Sequence, residues 1–174
     1  MEDKFMSVPA IKVFQTQHDE FLFLGKEYDL ETADMKAVWD DFINSGGYEI
    51  NKQYGKYPYA CMIVYHNNNP EHISYCPGAI VESIDKVPEG FTLMKFPARE
   101  YLVVTTEWME TFAEAVGENG LGQTGRYLRT VEIPAGYIRY DGPGSQIVVI
   151  EVENANTENG SRWENWVPIK KIDG

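Results

Sequence analysis

Two stretches of the chain carry apolar residues at helical period, and the segments around them alternate as strands do. In ETADMKAVWDDFINSGG, the residues Met35, Val38, Trp39, Phe42 and Ile43 recur at i, i+3, i+4, i+7 and i+8. That spacing gathers them on one side of a helix. Thr32 is the expected N-cap, acidic residues fill the early turns, and Gly46-Gly47 marks the stop. A second stripe lies in TTEWMETFAEAVG, formed by Trp108, Met109, Phe112, Ala115 and Val116. Thr105 or Thr106 is its expected cap and Gly117 its end.

Before the first helix, VFQTQHDEFLFLGKEYDL predicts one long strand bent near Asp19. After it, YPYACMIVYHNNNPE and HISYCPGAIVESI predict a hairpin closed by the turn-rich NNNPE. The second half repeats this order. TLMKFPAREYLVVT is a strand interrupted at Pro97, and SQIVVIEVEN and RWENWVPIKKI are strands flanking the polar NANTENGS. The pattern predicts one domain over residues 1–174, made of two β-α-β-β units spanning about 12–85 and 91–172. Its expected fold class is α+β, a duplicated unit forming one antiparallel sheet with two helices on one face and a ligand groove on the other. Residues 117–145 hold seven glycines between them and read as a long connection that lids the groove, with GRYLRTV as a short helix. The GxG-like spacings there do not lie between a strand and a helix, so they do not predict a dinucleotide site.

Composition narrows the function classes. With 43% hydrophobic and 13% aromatic residues in 174, the chain predicts a packed globular protein. Its longest apolar run falls short of the roughly 20 residues that cross a bilayer. MEDKFMSVPAIK lacks the basic and apolar regions of a secretory signal, so the expected location is cytoplasmic, with no membrane partner. A net charge of −12 repels nucleic-acid phosphates and attracts cations or basic partners. Direct nucleic-acid binding is therefore not expected. Cys61 and Cys76 are expected as buried, reduced thiols. The absence of CxxC and HExxH, and the scatter of His18, His66 and His72, predict neither a metal site nor a cofactor.

Several segments together resemble a known family. VPEGFTLMKFPAREYLVV is similar to the "pegl…l-ipagkYavf" segment of GyrI-like domains, ENWVPIKK to their closing "e-iyiPik" strand, and YPYACMIVYHN with YCPGAIVE to their first hairpin. The resemblance runs from about residue 12 to 172. GyrI-like domains are the effector-binding domains of AraC- and MerR-type multidrug-responsive bacterial regulators. No helix-turn-helix segment precedes the domain, which resembles a stand-alone member. The resemblance implies a groove lined by aromatics in which an acidic residue reads lipophilic cations. In the family pattern "fEvY" that residue corresponds to Glu151, with Glu153 standing in place of the tyrosine. An alignment anchored on Gly142-Pro143 puts Gln146 there instead.

Trp166, in the place of the aromatic before the family's "iPi", is the expected groove residue, with Trp163 facing the other way. Tyr48, Tyr59, Tyr65, Tyr75 and Tyr101 belong to or border the strands, and two or three of them are expected in the site. Trp39 and Trp108 read as core residues of their helices. The expected function is capture of lipophilic cationic or amphipathic compounds. Two alternatives stand beside it. One is hydrolysis of strained, cyclopropane-containing toxins by a groove glutamate, with Glu151 beside Trp166. The other is inhibition of DNA gyrase through contact with an acidic surface, gyrase or a regulator being the protein partner.

Overall fold

The structure is a computed structural model and describes residues 8–57, 59–156 and 158–173. Its strands are β1 (Ile11–His18), β2 (Phe21–Gly25), β3 (Tyr28–Asp29), β4 (Ala60–Tyr65), β5 (Ile73–Val81), β6 (Thr92–Phe96), β7 (Arg99–Thr106), β8 (Tyr137–Arg139), β9 (Ile147–Asn156) and β10 (Gly160–Lys171). The helices are α1 (Met35–Asn44), α2 (Gly47–Tyr54), α3 (Phe112–Ala115) and α4 (Gln123–Tyr127). All the strands form one open antiparallel sheet in the order β1-β7-β10-β9-β4-β5-β2-β6, with β3 added to β5 and β8 to β10. The fold is α+β, as the sequence predicts. The order is symmetric about the β9–β4 pair, and each half contributes one hairpin to the centre.

The two strands predicted to bend do so at Asp19-Glu20 and at Pro97-Ala98. Each bend is only two residues long, so its flanking strands end within about 11 Å of one another. Yet β1 lies at one edge of the sheet, and β2 lies next to the other edge strand, β6. The sheet must therefore curl until its two ends meet. Phe23 and Phe96 from one end and Tyr101, Val103 and Trp166 from the other accordingly share one buried cluster with Met62 and Ile150. A cleft of about 220 Å³ remains on this face, bordered by His18, Tyr57, Lys56 and Trp166.

The helices cover the opposite face. Val38 of α1 packs on Cys61 and Tyr75, while Ile50 of α2 packs on Leu24, Ala79 and Val81. Buried Asn51 ties α2 to the sheet by donating from Nδ2 to the Gly78 carbonyl at 2.9 Å. Leu128, following α4, packs on Leu102 and Val104.

The helix boundaries differ from the sequence expectations for identifiable reasons. Asp34, not Thr32, caps α1, its Oδ1 accepting from the Ala37 amide at 2.8 Å. Gly46 does end α1, with φ at +80°, but the chain turns directly into α2. Gly47 is needed there because a Cβ would lie 2.4 Å from the Phe42 ring. The second helix does not begin at Thr105 or Thr106, which are buried β7 residues. Met109 instead exchanges two backbone hydrogen bonds of 2.8 Å with Ser161, extending the sheet and holding Trp108-Met109 out of a helix. Only then does Thr111, in a reciprocal capping box with Glu114, start α3. Gly117 does not stop the helical path, since a π-turn over Glu118–Gly122 leads into α4. Part of the predicted connection is thus helical, and GRYLRTV contributes the end of α4.

Gly78 crosses beneath Leu24 so closely that a Cβ would lie 2.1 Å from the Leu24 carbonyl oxygen. Gly78→Ala is expected to cost about 2 kcal/mol or more, a fall in Tm of roughly 4–8 °C by calorimetry.

Candidate functional site between the helices

Strand register decides which side chains meet. On the helix-covered face one row crossing the sheet holds Cys61, Glu151, Asn165 and Val104 in succession. The next row toward α3 holds Tyr59, Glu153 and Trp163, the Glu153 amide donating to the Tyr59 carbonyl at 2.9 Å. Both rows lie over the β4–β9–β10 centre, between α1 and α2 on one side and α3 and α4 on the other. Aromatic rings line this slot. Tyr59 stacks on Phe112 of α3 with centroids 4.4 Å apart, and Tyr48 of α2 meets Tyr59 edge-on at 5.0 Å. Trp39 stacks on Tyr48 at 6.4 Å and meets Tyr75 edge-on at 6.3 Å.

Glu151 lies at the floor of the slot, half-buried. The buried Cys61 thiol donates to its Oε2 at 2.8 Å. Behind Cys61, Tyr75 packs against the thiol and Trp39 packs on Tyr75. Burial pushes the Glu151 carboxyl above the usual carboxylate range, opposed by the Cys61 hydrogen bond. Burial and the neighbouring carboxylate push the Cys61 thiol well up, so it stays protonated as a donor. Among the described residues no lysine or arginine forms an ion pair with Glu151.

The structure divides the sequence-selected residues among three places. Glu151, Tyr48, Tyr59 and Tyr75 surround the slot. Trp166 and Tyr101 lie on the opposite face, because Trp166 pairs with Ile150 rather than Glu151. There Trp166 is buried, stacked on His18 at 4.1 Å, and donates from Nε1 to Glu164 at 3.1 Å. Burial and the charge of Lys56 hold the His18 imidazole below its ordinary pKa, against the opposing charge of Glu164. Glu151 and Trp166, the pair named for the hydrolytic alternative, lie on opposite faces of the sheet, and the glutamate beside Trp166 is Glu164. Tyr65 and Gln146 border a third cleft of about 510 Å³ near His66 and Met94, and the Gln146 carbonyl accepts from the Tyr65 amide at 3.0 Å. Trp163 faces the helices and is buried, whereas Trp108 lies half-buried under the Arg162 guanidinium at 4.3 Å.

Phe112, Cys61, Asn165 and Glu153 were not singled out as site residues by the sequence. For Glu153 a signal existed, since residues two apart on a strand share a face. Phe112 reads as a core residue of a helical stripe, and nothing local shows that it lies over Tyr59.

Similarity to known proteins assigns the chain to a family. The family of integron-associated effector-binding proteins, Cass2, matches residues 16–169. The chain belongs to that family. No curated protein sequence matches it. Among solved structures, SAV2435 bound to tetraphenylphosphonium superposes with a TM-score of 0.62 at 12% identity, over 91% of this chain and 94% of that one. The integron cassette protein VCH_CASS2 of Vibrio cholerae gives 0.58 at 9% identity, covering 92% and 98%. The EcmrR C-terminal domain gives 0.56 at 14%, covering 93% and 99%. This Cass2 chain therefore carries the GyrI-like effector-binding fold, and the family supports binding of a small molecule. Among its described residues no helix is long and apolar enough to cross a membrane.

A carboxyl whose pKa is raised in the folded state contributes most to stability when protonated, below its unfolded value, and that contribution is lost as pH rises through the folded value. Glu151→Gln is therefore expected to raise Tm by a few degrees at neutral pH. In thermal melts across pH, the gain should vanish below the ordinary carboxylate range.

Proposed function

We propose that this Cass2 protein captures lipophilic cations in the slot between its helices. Glu151 is the acidic anchor, and Tyr59, Tyr48, Tyr75, Trp39 and Phe112 form the aromatic walls. The observation that carries this reading is a half-buried carboxylate, oriented by a thiol and surrounded by rings, with no cationic side chain paired to it among the described residues. An organic cation supplies the missing charge and replaces lost hydration with ring contacts, each cation–π contact being worth about 0.5–2 kcal/mol. A neutral ligand leaves the carboxylate desolvated and unpaired. The tetraphenylphosphonium bound by SAV2435 is a ligand of this chemistry on a similar fold and supports the reading.

Phe112 is exposed and Tyr59 half-buried, so their stack forms the mouth of the slot. A ligand enters by parting these rings and exchanges one aromatic contact for another.

Titration with tetraphenylphosphonium, followed by intrinsic tryptophan fluorescence, is the test, with uncharged triphenylphosphine oxide as control. Saturable quenching by the cation is expected, with affinity reduced about tenfold or more in Glu151→Gln and weakened as pH falls through the raised Glu151 pKa. Equal affinity for the neutral control, or an unaffected variant, would overturn the assignment of the anchor.

A further inference from the structure

The slot holds more hydrogen-bond acceptors than any phosphonium can use. Glu153 follows Glu151 by two residues on the same face, placing the two Cα atoms about 7 Å apart. It is buried, only 3% exposed. Its Oε1 accepts from Ser161 at 2.5 Å while Oε2 has no partner. Asn165, next to Glu151 in register, is fully buried. Its Nδ2 donates to the Thr124 hydroxyl at 2.9 Å and to the Val104 carbonyl at 3.3 Å. Because a carbonyl can only accept, the amide is held that way round, and its unpartnered Oδ1 is also an acceptor. Among described residues Glu151 Oε2 accepts from Cys61, leaving Oε1 free to accept. Against the two buried unpartnered acceptors, Glu153 Oε2 and Asn165 Oδ1, there is one buried unpartnered donor in the same rows, Trp163 Nε1.

A buried acceptor left unpaired costs about 1–3 kcal/mol, and more if it is charged. Such a surplus persists in a folded protein where something else supplies the donors. Resting on the cation-binding reading, we infer that the ligand class of this slot is an aromatic cation bearing N–H groups, such as an arylamine, amidinium or guanidinium. Glu151 takes its charge, and Glu153 and Asn165 accept its N–H donors. Glu153 is then the specificity-determining residue that separates N–H cations from fully alkylated ones of the same shape and charge. Quaternary and phosphonium cations satisfy Glu151 alone and bind more weakly.

Thionine and methylene blue test this directly. Both are planar monocationic phenothiaziniums, and they differ in that the amino N–H groups of thionine are all replaced by methyls in methylene blue. Wild-type protein is expected to bind thionine about tenfold more tightly, the value of one charge-assisted hydrogen bond. The partly methylated azure B should fall between them. In Glu153→Gln the ratio of thionine to methylene blue affinity should fall to about one, with the cooperative thermal melt of the variant reporting that it is folded. Equal affinities in the wild type, or a preference that survives Glu153→Gln as a mere size effect would, overturn the inference while cation binding stands. The wild-type ratio decides even if the variant does not fold. If neither dye nor tetraphenylphosphonium binds the wild type, the cation reading fails and this inference with it.

Discussion

The antiparallel pairing of β4 with β9 is the constraint on which the rest of the structure depends. These strands come from opposite halves of the chain, and their ladder joins the halves at the middle of the sheet. The register sets Cys61 against Glu151 and Met62 against Ile150. It thereby assigns Glu151 to the helix-covered face and Ile150 to the other. A slip of one residue would turn Glu151 into the cluster of Met62, Tyr101 and Trp166, away from the Cys61 thiol.

Curling of the sheet is the second consequence of connectivity. The two-residue links at Asp19-Glu20 and Pro97-Ala98 tie strands that belong at opposite ends of the strand order. The face opposite the helices must therefore close upon itself. Its rings, Phe23, Phe96, Tyr101 and Trp166, become core. The helix-covered face stays divided, because α1 and α2 cover one half and α3 with α4 the other. Buried polar groups concentrate along the line between them, at Glu151, Glu153 and Asn165.

That line is where stability and binding oppose one another. A hydrophobic residue at position 151 would pack better against Cys61 and Tyr75, yet the chain places there a carboxylate with a raised pKa. The Cys61 thiol partly offsets the desolvation and orients the carboxylate. Glu153 Oε2 and Asn165 Oδ1, buried acceptors without partners, lie beside it, and such atoms are rare in a folded core.

The sequence by itself determined the order of elements, both bends, the central hairpin, the two buried thiols and the acid on β9, because alternation, turn residues and helical period are local signals. It also indicated that Trp163 and Trp166 face opposite ways. It did not determine the extent of the second helix, where Met109 and Ser161 meet through the backbone and override the stripe that Trp108 and Met109 share with Phe112. Nor did it determine which aromatic joins which acid. Trp166 and Glu151 are close in sequence terms and on opposite faces in space, while Tyr48, Tyr59 and Phe112 come from three distant segments to surround one slot. Period along a strand tells which residues share a face. Only pairing between strands, set by tertiary packing, decides which face receives the helices and what lies opposite each side chain.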